Sequence, residues 1–192
     1  MCMYKILKKL IPASLRNKLR NSILHNLYIS AFESDMLVYA QNHFIELYGN
    51  SDSCTLKSSR IYEQATTYFI RDYLKENDVV YDIGANIGYF SLEFARCVGK
   101  HGKVLSFEPH PDIFKVLERN VHRNKYHNIF LNNSACGENK GIQQLFFSTE
   151  NEGNHKIVAN DYSKGFTSVQ VIELSSFINK DFPRLIKMDI EG

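Results

Sequence analysis

Residues 79–90 constrain the fold of this chain more than any other segment does. They read Val-Val-Tyr-Asp-Ile-Gly-Ala-Asn-Ile-Gly-Tyr-Phe, an apolar run followed by a turn with two glycines and the start of an amphipathic segment. A strand, a glycine-containing turn and a helix in this order hold a nucleotide-like group at the carboxyl edge of a parallel sheet. We therefore expect an α/β fold with a Rossmann-like parallel sheet and helices on both of its faces.

Two residues of this turn indicate which kind of group it binds. In a dinucleotide-binding turn the middle glycine lets the backbone approach a pyrophosphate, whereas this chain has Asn86 there. Asp82, at the end of the predicted strand, would repel a phosphate, and the chain has no phosphate-binding P-loop sequence. These features argue against a nicotinamide-dependent oxidoreductase. They favour a cofactor with a positive head and no phosphate, and S-adenosylmethionine fits that description.

The turn residues suggest separate roles. Gly84 would remove a side chain where the cofactor lies against the turn, and Gly88 would let the next helix pack close to the sheet. Asp82 can accept charge-assisted hydrogen bonds from the cofactor's ammonium, directly or through water. The alternative is a tight turn in which Asp82 only caps the following helix.

Composition places the chain among ordinary globular proteins. It has 192 residues, 44% of them hydrophobic and 23% charged, and its net charge of +2 does not favour nucleic acid as a partner. The cysteines have no metal-ligand spacing; they are Cys2, Cys54, Cys97 and Cys136. We expect reduced thiols and no metal. Because no apolar run reaches the ~20 residues that cross a bilayer, we also expect a cytoplasmic protein.

Residues 1–59 are predicted to be a helical, basic segment that precedes the main domain. Six basic residues come before the first acidic residue, Glu33, and apolar positions in 3–28 recur at three- to four-residue steps around Pro12. Residues 1–25 could contact an anionic membrane surface peripherally. Alternatively, their apolar face covers the main domain.

Residues 60–192 are predicted to form an S-adenosylmethionine-binding domain of alternating strands and helices. The predicted strands are 79–83, 103–108, 129–132 and 185–190, and the predicted helices are 60–76, 87–97, one from Pro111 and 175–179. The apolar face of the first helix would comprise Ile61, Ala65, Tyr68, Phe69 and Leu74. An antiparallel excursion of residues 143–147 and 168–172 interrupts the pattern.

Further candidate residues follow the other predicted strands. Glu108 ends the second strand, where an acidic residue accepts hydrogen bonds from ribose hydroxyls; the alternative is a solvated carboxylate. Residues 132–137, which include Ser134 and Ala135, would border the adenine ring. Three residues could serve as the base that accepts a hydroxyl proton, namely Asp189, Glu191 and the weaker candidate His155. We interpret His110 as a turn or surface histidine.

Taken together, these segments resemble the FkbM family of S-adenosylmethionine-dependent methyltransferases. The resemblance extends over residues 63–192 and rests on 80–88, 107–109, 135–137 and 186–192, the last reading Ile-Lys-Met-Asp-Ile-Glu-Gly. It implies a class I methyltransferase sheet with the cofactor at the strand ends. It also implies O-methylation of a hydroxyl on a small molecule, sugar or glycan, without a metal.

The chain departs from the family pattern in two places. Ser175 and Ser176 stand where the family commonly has two aspartates, a change that is tolerable because serine also caps helices. The family continues well past the terminal Glu-Gly, so we expect the C-terminal strands of the sheet to be missing here. The alternative to an active enzyme is therefore a truncated, non-catalytic remnant that keeps the cofactor-binding half of the fold.

Overall fold

A computed structural model of the chain describes residues 37–48, 56, 59–148, 163–178 and 181–190. The predictions made for residues 1–36, for His155 and for Glu191 lie outside these ranges. The membrane contact of residues 1–25 accordingly stays a prediction. Among the helices that the structure describes, none has the length and apolar character needed to cross a membrane.

The described part of the chain contains strands and helices in alternation. The strands are β1 (Leu37–Ala40), β2 (His43–Glu46), β3 (Val79–Ile83), β4 (Lys103–Phe107), β5 (Ile129–Asn132), β6 (Ala135–Cys136), β7 (Gly141–Ser148), β8 (Ser163–Ile172) and β9 (Leu185–Met188). The helices are α1 (Gln64–Tyr73), α2 (Tyr89–Val98), α3 (Pro111–Arg123) and α4 (Ser175–Ile178). The four predicted strands of the parallel sheet and the antiparallel excursion are all present.

The main sheet has the strand order β5-β4-β3-β9, and all of its pairs are parallel. Strands β7 and β8 pair antiparallel in a second sheet, where β6 joins β8, and β1 and β2 form a separate hairpin. Because parallel strands have their carboxyl ends at one edge, the ends of β3, β4 and β9 meet there. This topology confirms the predicted Rossmann-like α/β class.

The main sheet is covered on both faces. One face packs against α1, α2, α3 and the hairpin through a large apolar cluster that includes Val80, Val104 and Ile129 of the sheet. The other face, with Tyr81 and Phe107, packs against residues of β6, β8 and α4. Helices therefore lie on both faces, as predicted, although the helix on the second face has only four residues.

Helix α1 differs from its prediction in length and in its buried face. It spans Gln64–Tyr73 instead of residues 60–76. Its buried side chains are Thr67 and Ile70, whereas Tyr68 and Phe69 are about half exposed. Thr67 can be buried because its hydroxyl donates to the Tyr62 carbonyl, 2.8 Å away. The predicted apolar face is correct at Leu74, which is buried, and wrong at Tyr68 and Phe69, which hydrophobicity alone had assigned to the interior.

The hairpin at 37–46 lies within a segment that was predicted to be helical. Val38, Ala40 and Ile45 are buried in the same cluster as the main sheet. The backbone edge of β2 is bonded by amide side chains of α3, since Asn124 exchanges two hydrogen bonds with Phe44, 2.9 and 2.8 Å long. Asn120 does the same with Glu46, at 2.6 and 2.9 Å. Four-residue strands with such remote partners leave little trace in a sequence pattern.

Candidate active site

A cleft opens at the carboxyl edge of the sheet, where the β3–α2 turn faces the end of β9. Residues 84–87 of the turn, Phe90 of α2, and Lys187 and Asp189 at the end of β9 all line it. The structure thus brings three predicted site residues, Gly84, Asn86 and Asp189, to one place. The cleft lies where ligands bind in open α/β sheets.

Asp82 lies beneath this cleft and is fully buried. Its Oδ2 accepts a hydrogen bond of 2.6 Å from the Ser91 hydroxyl, while Oδ1 has no hydrogen-bond partner among the described residues. The alternative of Asp82 as a helix cap is wrong, because the N-cap of α2 is Gly88, without a side-chain cap, and Asp82 accepts a hydrogen bond from the Ser91 hydroxyl instead. Burial raises the pKa of Asp82, and the nearby Lys187 ammonium partly opposes that shift.

Both glycines of the turn are required by the packing around them, and the position of the cofactor against Gly84 stays a prediction. Gly84 has φ +78°, and a Cβ there would overlap the carbonyl oxygen of Asp189. The space beside Gly84 is therefore filled by the end of β9. Gly88 has φ +92°, and a Cβ there would overlap a methyl group of Leu117 on α3. Gly88 thus lets α2 start close to α3. The prediction had named the sheet as the element against which Gly88 allows close packing.

Glu108, which follows β4, is hydrogen-bonded to the backbone of two turns. It is 6% exposed, and its carboxylate accepts hydrogen bonds from the backbone amides of Asn86 (2.9 Å) and His110 (2.8 Å). The alternative of a solvated carboxylate is wrong. Burial raises the pKa of Glu108 to about 7, although both amide hydrogen bonds lower it. The contact with ribose hydroxyls stays a prediction.

Two residues that support Glu108 were not recognised from the sequence. Asn133 donates from its side chain to the carbonyl of Glu108, 2.8 Å away. His110 is buried and caps α3, because its Nδ1 accepts from the backbone amide of Asp112 at 3.2 Å. The sequence signal for the cap was present, since Pro111 follows directly and proline favours the first helical position. The interpretation of His110 as a turn residue holds, but it is not on the surface.

Ser134 and Ala135 lie at the start of the second sheet. Ala135 is buried and pairs with Val171 of β8. The Ser134 hydroxyl is buried as well, without a hydrogen-bond partner among the described residues. The segment was predicted as a loop, and two of its residues instead form a short strand, β6. Its proximity to an adenine ring stays a prediction, and the unpartnered hydroxyl is a group that a ligand could satisfy.

Lys187 is a further site residue that the sequence interpretation did not assign to a role. Its side chain is 14% exposed, and its Nζ lies 3.3 Å from Asp189 Oδ2 and 3.9 Å from Asp82 Oδ1. Strand register explains this arrangement, because Asp82 of β3 and Lys187 of β9 are direct partners. The Lys187 ammonium therefore lies close to two carboxylates, Asp189 on the wall of the cleft and Asp82 buried beside it.

Solved methyltransferase structures overlap with part of this chain. An S-adenosylmethionine-dependent O-methyltransferase from Thermotoga maritima matches with 17% identity and a TM-score of 0.37, over 52% of this chain and 48% of the other. The Pyrococcus horikoshii protein TYW2, in complex with MeSAdo, matches with 23% identity and a TM-score of 0.39, over 52% and 35% of the two chains. Overlaps of this extent carry no weight for the activity.

Sequence comparison gives a firmer result. Methyltransferase sdnD of Sordaria araneosa is 27% identical over 139 residues, which are 71% of this chain and 53% of that protein. Methyltransferase 1 of Beauveria bassiana is 25% identical over 139 residues, 61% of this chain and 55% of that protein. The chain thus spans about half the length of these relatives.

The family model described as the methyltransferase FkbM domain matches residues 82–192, which are more than half of the chain. The residues of the β3–α2 turn and of the end of β9 that line the cleft all lie within this range. The chain therefore belongs to the FkbM methyltransferase family.

Proposed function

We propose that this chain binds S-adenosylmethionine in the cleft and transfers a methyl group to a hydroxyl of a sugar, a glycan or another metabolite. The observation that carries the proposal is Asp82, a fully buried carboxylate with an unpartnered oxygen next to the cleft of a methyltransferase-family domain. A buried acceptor without a partner is costly unless a ligand or water satisfies it.

The charges of the cleft fit this cofactor. S-adenosylmethionine carries an ammonium, a sulfonium and one carboxylate, so it has a net positive charge. The carboxylate of Asp189 and the ammonium of Lys187 line the cleft, and the carboxylate of Asp82 lies buried beside it, 3.9 Å from that ammonium. Phosphate-bearing cofactors are disfavoured by the same two carboxylates. The residues proposed to hold the cofactor are Asp82, Gly84, Asn86, Gly88, Glu108, Ser134 and Ala135.

The proposed reaction requires alignment and removal of one proton. When bound, S-adenosylmethionine would supply a methyl carbon whose bond to sulfur breaks, with the electron pair going to sulfur, as the acceptor oxygen forms the new bond. The chain contributes mainly by placing the reacting groups in line. Asp189 is exposed at the cleft, where it can accept the hydroxyl proton, and its Oδ2 lies 3.3 Å from Lys187 Nζ. Glu191 and His155 are the other proposed bases.

Isothermal titration calorimetry of the full chain tests cofactor binding. We expect S-adenosylhomocysteine, the demethylated product, to bind with one site per chain, and ATP to give no heat because the carboxylates repel its phosphates. The variant Asp82→Asn should weaken binding at least tenfold. The matched control Asp112→Asn, on the exposed surface of α3, should leave it unchanged. Absence of heat from S-adenosylhomocysteine in a chain that unfolds cooperatively would overturn the proposal.

Transfer from cofactor carrying a labelled methyl group tests the acceptor. We expect label in sugars or glycans that resists mild alkali, because methyl ethers survive conditions that hydrolyse carboxyl methyl esters. Asp189→Asn should lower kcat by about 10²–10⁴-fold with unchanged affinity for S-adenosylhomocysteine. An equal loss in Glu191→Gln or His155→Asn instead would move the base to that residue. Label that alkali releases would exclude a hydroxyl acceptor, and binding without transfer to any acceptor tried would favour the non-catalytic alternative.

A further inference from the structure

Lys187 is the one cationic side chain that lines the cleft within the described residues. Its Nζ lies 4.8 Å from the centre of the ring of Phe90, a residue of α2 that also lines the cleft. Contacts with the aromatic face and with the carboxylates restrict the position of the ammonium. Lys187 is thus a fixed positive charge on the wall of the candidate cofactor site.

The Lys187 ammonium retains hydrogen-bonding capacity. An ammonium has three N–H donors, and here the described residues accept one hydrogen bond from it, to Asp189 Oδ2 at 3.3 Å. Asp82 Oδ1 is 3.9 Å away, beyond hydrogen-bonding distance, and has no other partner. The two charges are therefore close enough to attract each other, yet neither satisfies the other.

The start of α2 adds to the positive potential on the same side. Residues 85–87, 89 and 90, which lead into and begin this helix, line the cleft. The N-terminus of a ten-residue helix carries a partial positive charge that favours anions. An anionic group that enters the cleft beside Lys187 would meet both sources of positive charge.

We infer that Lys187 binds the α-carboxylate of the cofactor's methionine moiety and so directs the α-ammonium towards Asp82. This inference rests on the proposed function. It assigns one partner to each charged end of the amino acid: the free donors of Lys187 to the carboxylate and the unpartnered oxygen of Asp82 to the ammonium. The exposed carboxylate of Asp189 is then left for the acceptor. If Lys187 acted only as the counter-ion of Asp82, its replacement would change the affinity for all ligands of the cleft alike.

Three ligands and two lysine variants separate these roles by calorimetry. S-adenosylhomocysteine has both the carboxylate and the ammonium, its decarboxylated analogue lacks the carboxylate, and 5′-methylthioadenosine lacks both. We expect Lys187→Met to weaken S-adenosylhomocysteine about 10- to 100-fold, the loss of one charge-assisted hydrogen bond, and to change the other two ligands less than about twofold. Lys103→Met, which removes a lysine at the amino end of β4, two strands away from β9 in the sheet, should change none of them.

The outcomes distinguish this inference from the proposed function. If no ligand binds the folded wild-type chain, the proposed function fails. If the ligands bind but Lys187→Met lowers the affinity for all three equally, or for none, Lys187 does not bind the carboxylate. Should Lys187→Met not fold, the wild type alone decides, because the inference requires S-adenosylhomocysteine to bind at least tenfold more tightly than its decarboxylated analogue. Equal affinities for those two ligands would overturn it.

Discussion

Two fully buried carboxylates, Glu93 on α2 and Asp82 on β3, lie in very different surroundings. Glu93 accepts hydrogen bonds from Arg71 at 3.0 Å and from Arg96 at 2.8 Å, and His43 Nδ1 lies 3.5 Å from its other oxygen. Asp82 has one hydroxyl partner, and its only ion-pair partner among the described residues, Lys187, is 3.9 Å away. Each carboxylate has one oxygen without a hydrogen-bond partner among the described residues, but Glu93 forms ion pairs with two arginines at 3.0 and 2.8 Å, whereas Asp82 has a single lysine at 3.9 Å.

The pKa directions express the same contrast. Burial alone would raise the pKa of Glu93, but the contacts with His43, Arg96 and Arg71 outweigh it and lower that pKa to about 2. Burial dominates at Asp82 and raises its pKa. Glu93 is thus a charge whose removal should harm folding, because it joins the hairpin, α1 and α2. Asp82 is a charge whose removal should harm binding, because folding alone does not satisfy it.

The largest effect is expected from Glu93→Gln. Loss of this charge leaves two arginines and a buried histidine without their shared partner, so the free energy of unfolding at pH 7 should fall by about 3 kcal/mol. Urea denaturation followed by circular dichroism measures it. As a control, Asp112→Asn removes an exposed ion pair with Lys115 and should leave the urea midpoint unchanged. A Glu93→Gln variant as stable as the wild type would remove the contrast between the two carboxylates.

The free energy of unfolding should fall by about 3 kcal/mol in each of two pH ranges, which we call the acidic arm and the neutral arm. Because the folded pKa of Glu93 is about 2, its contribution is present above the unfolded pKa near 4.5 and is lost as the pH falls towards 2. The folded pKa of Glu108 is about 7, so its contribution is present below pH 4.5 and is lost as the pH rises through 7. Urea titrations from pH 2.5 to 9 measure both arms.

Two variants assign those arms. Glu93→Gln should flatten the acidic arm and leave the neutral one, whereas Glu108→Gln should reduce the neutral arm and leave the acidic one. Part of the neutral arm should remain in Glu108→Gln, because burial also raises the pKa of Asp82. If both variants keep both arms, the pH dependence arises from other groups, and the pKa shifts of these two carboxylates are not coupled to folding.

The smallest effect on stability is expected from Asp82→Asn. A neutral amide can still accept the hydrogen bond from Ser91 and avoids burying a charge, so the free energy of unfolding at pH 8 should stay the same or rise by up to about 1 kcal/mol. The same urea denaturation measures it, alongside the tenfold or greater loss of S-adenosylhomocysteine affinity. A loss of stability as large as that of Glu93→Gln would show that Asp82 is a structural charge after all.

Sequence reasoning was most successful where the relevant residues are close in the chain. The strand, turn and helix at residues 79–98 and the position of Asp82 followed from one local pattern. The cluster around Glu93 could not be predicted, because its partner side chains come from residues 43, 71 and 96, which only the folded chain brings together. The inward orientation of Glu108 was missed for the same reason, since its amide partner on Asn86 belongs to a different turn.

The pairing of β9 with β3 determines the charge of the cleft. Side chains along a strand alternate between the two faces of the sheet, and Lys187 stands between Ile186 and Met188, which are both exposed. A slip of one residue in this register would turn the lysine to the opposite face and bring an aliphatic or thioether side chain beside Asp82. A one-residue insertion or deletion just before Leu185 would therefore replace the charged side chain beside Asp82 with an apolar one without altering any residue of the cleft.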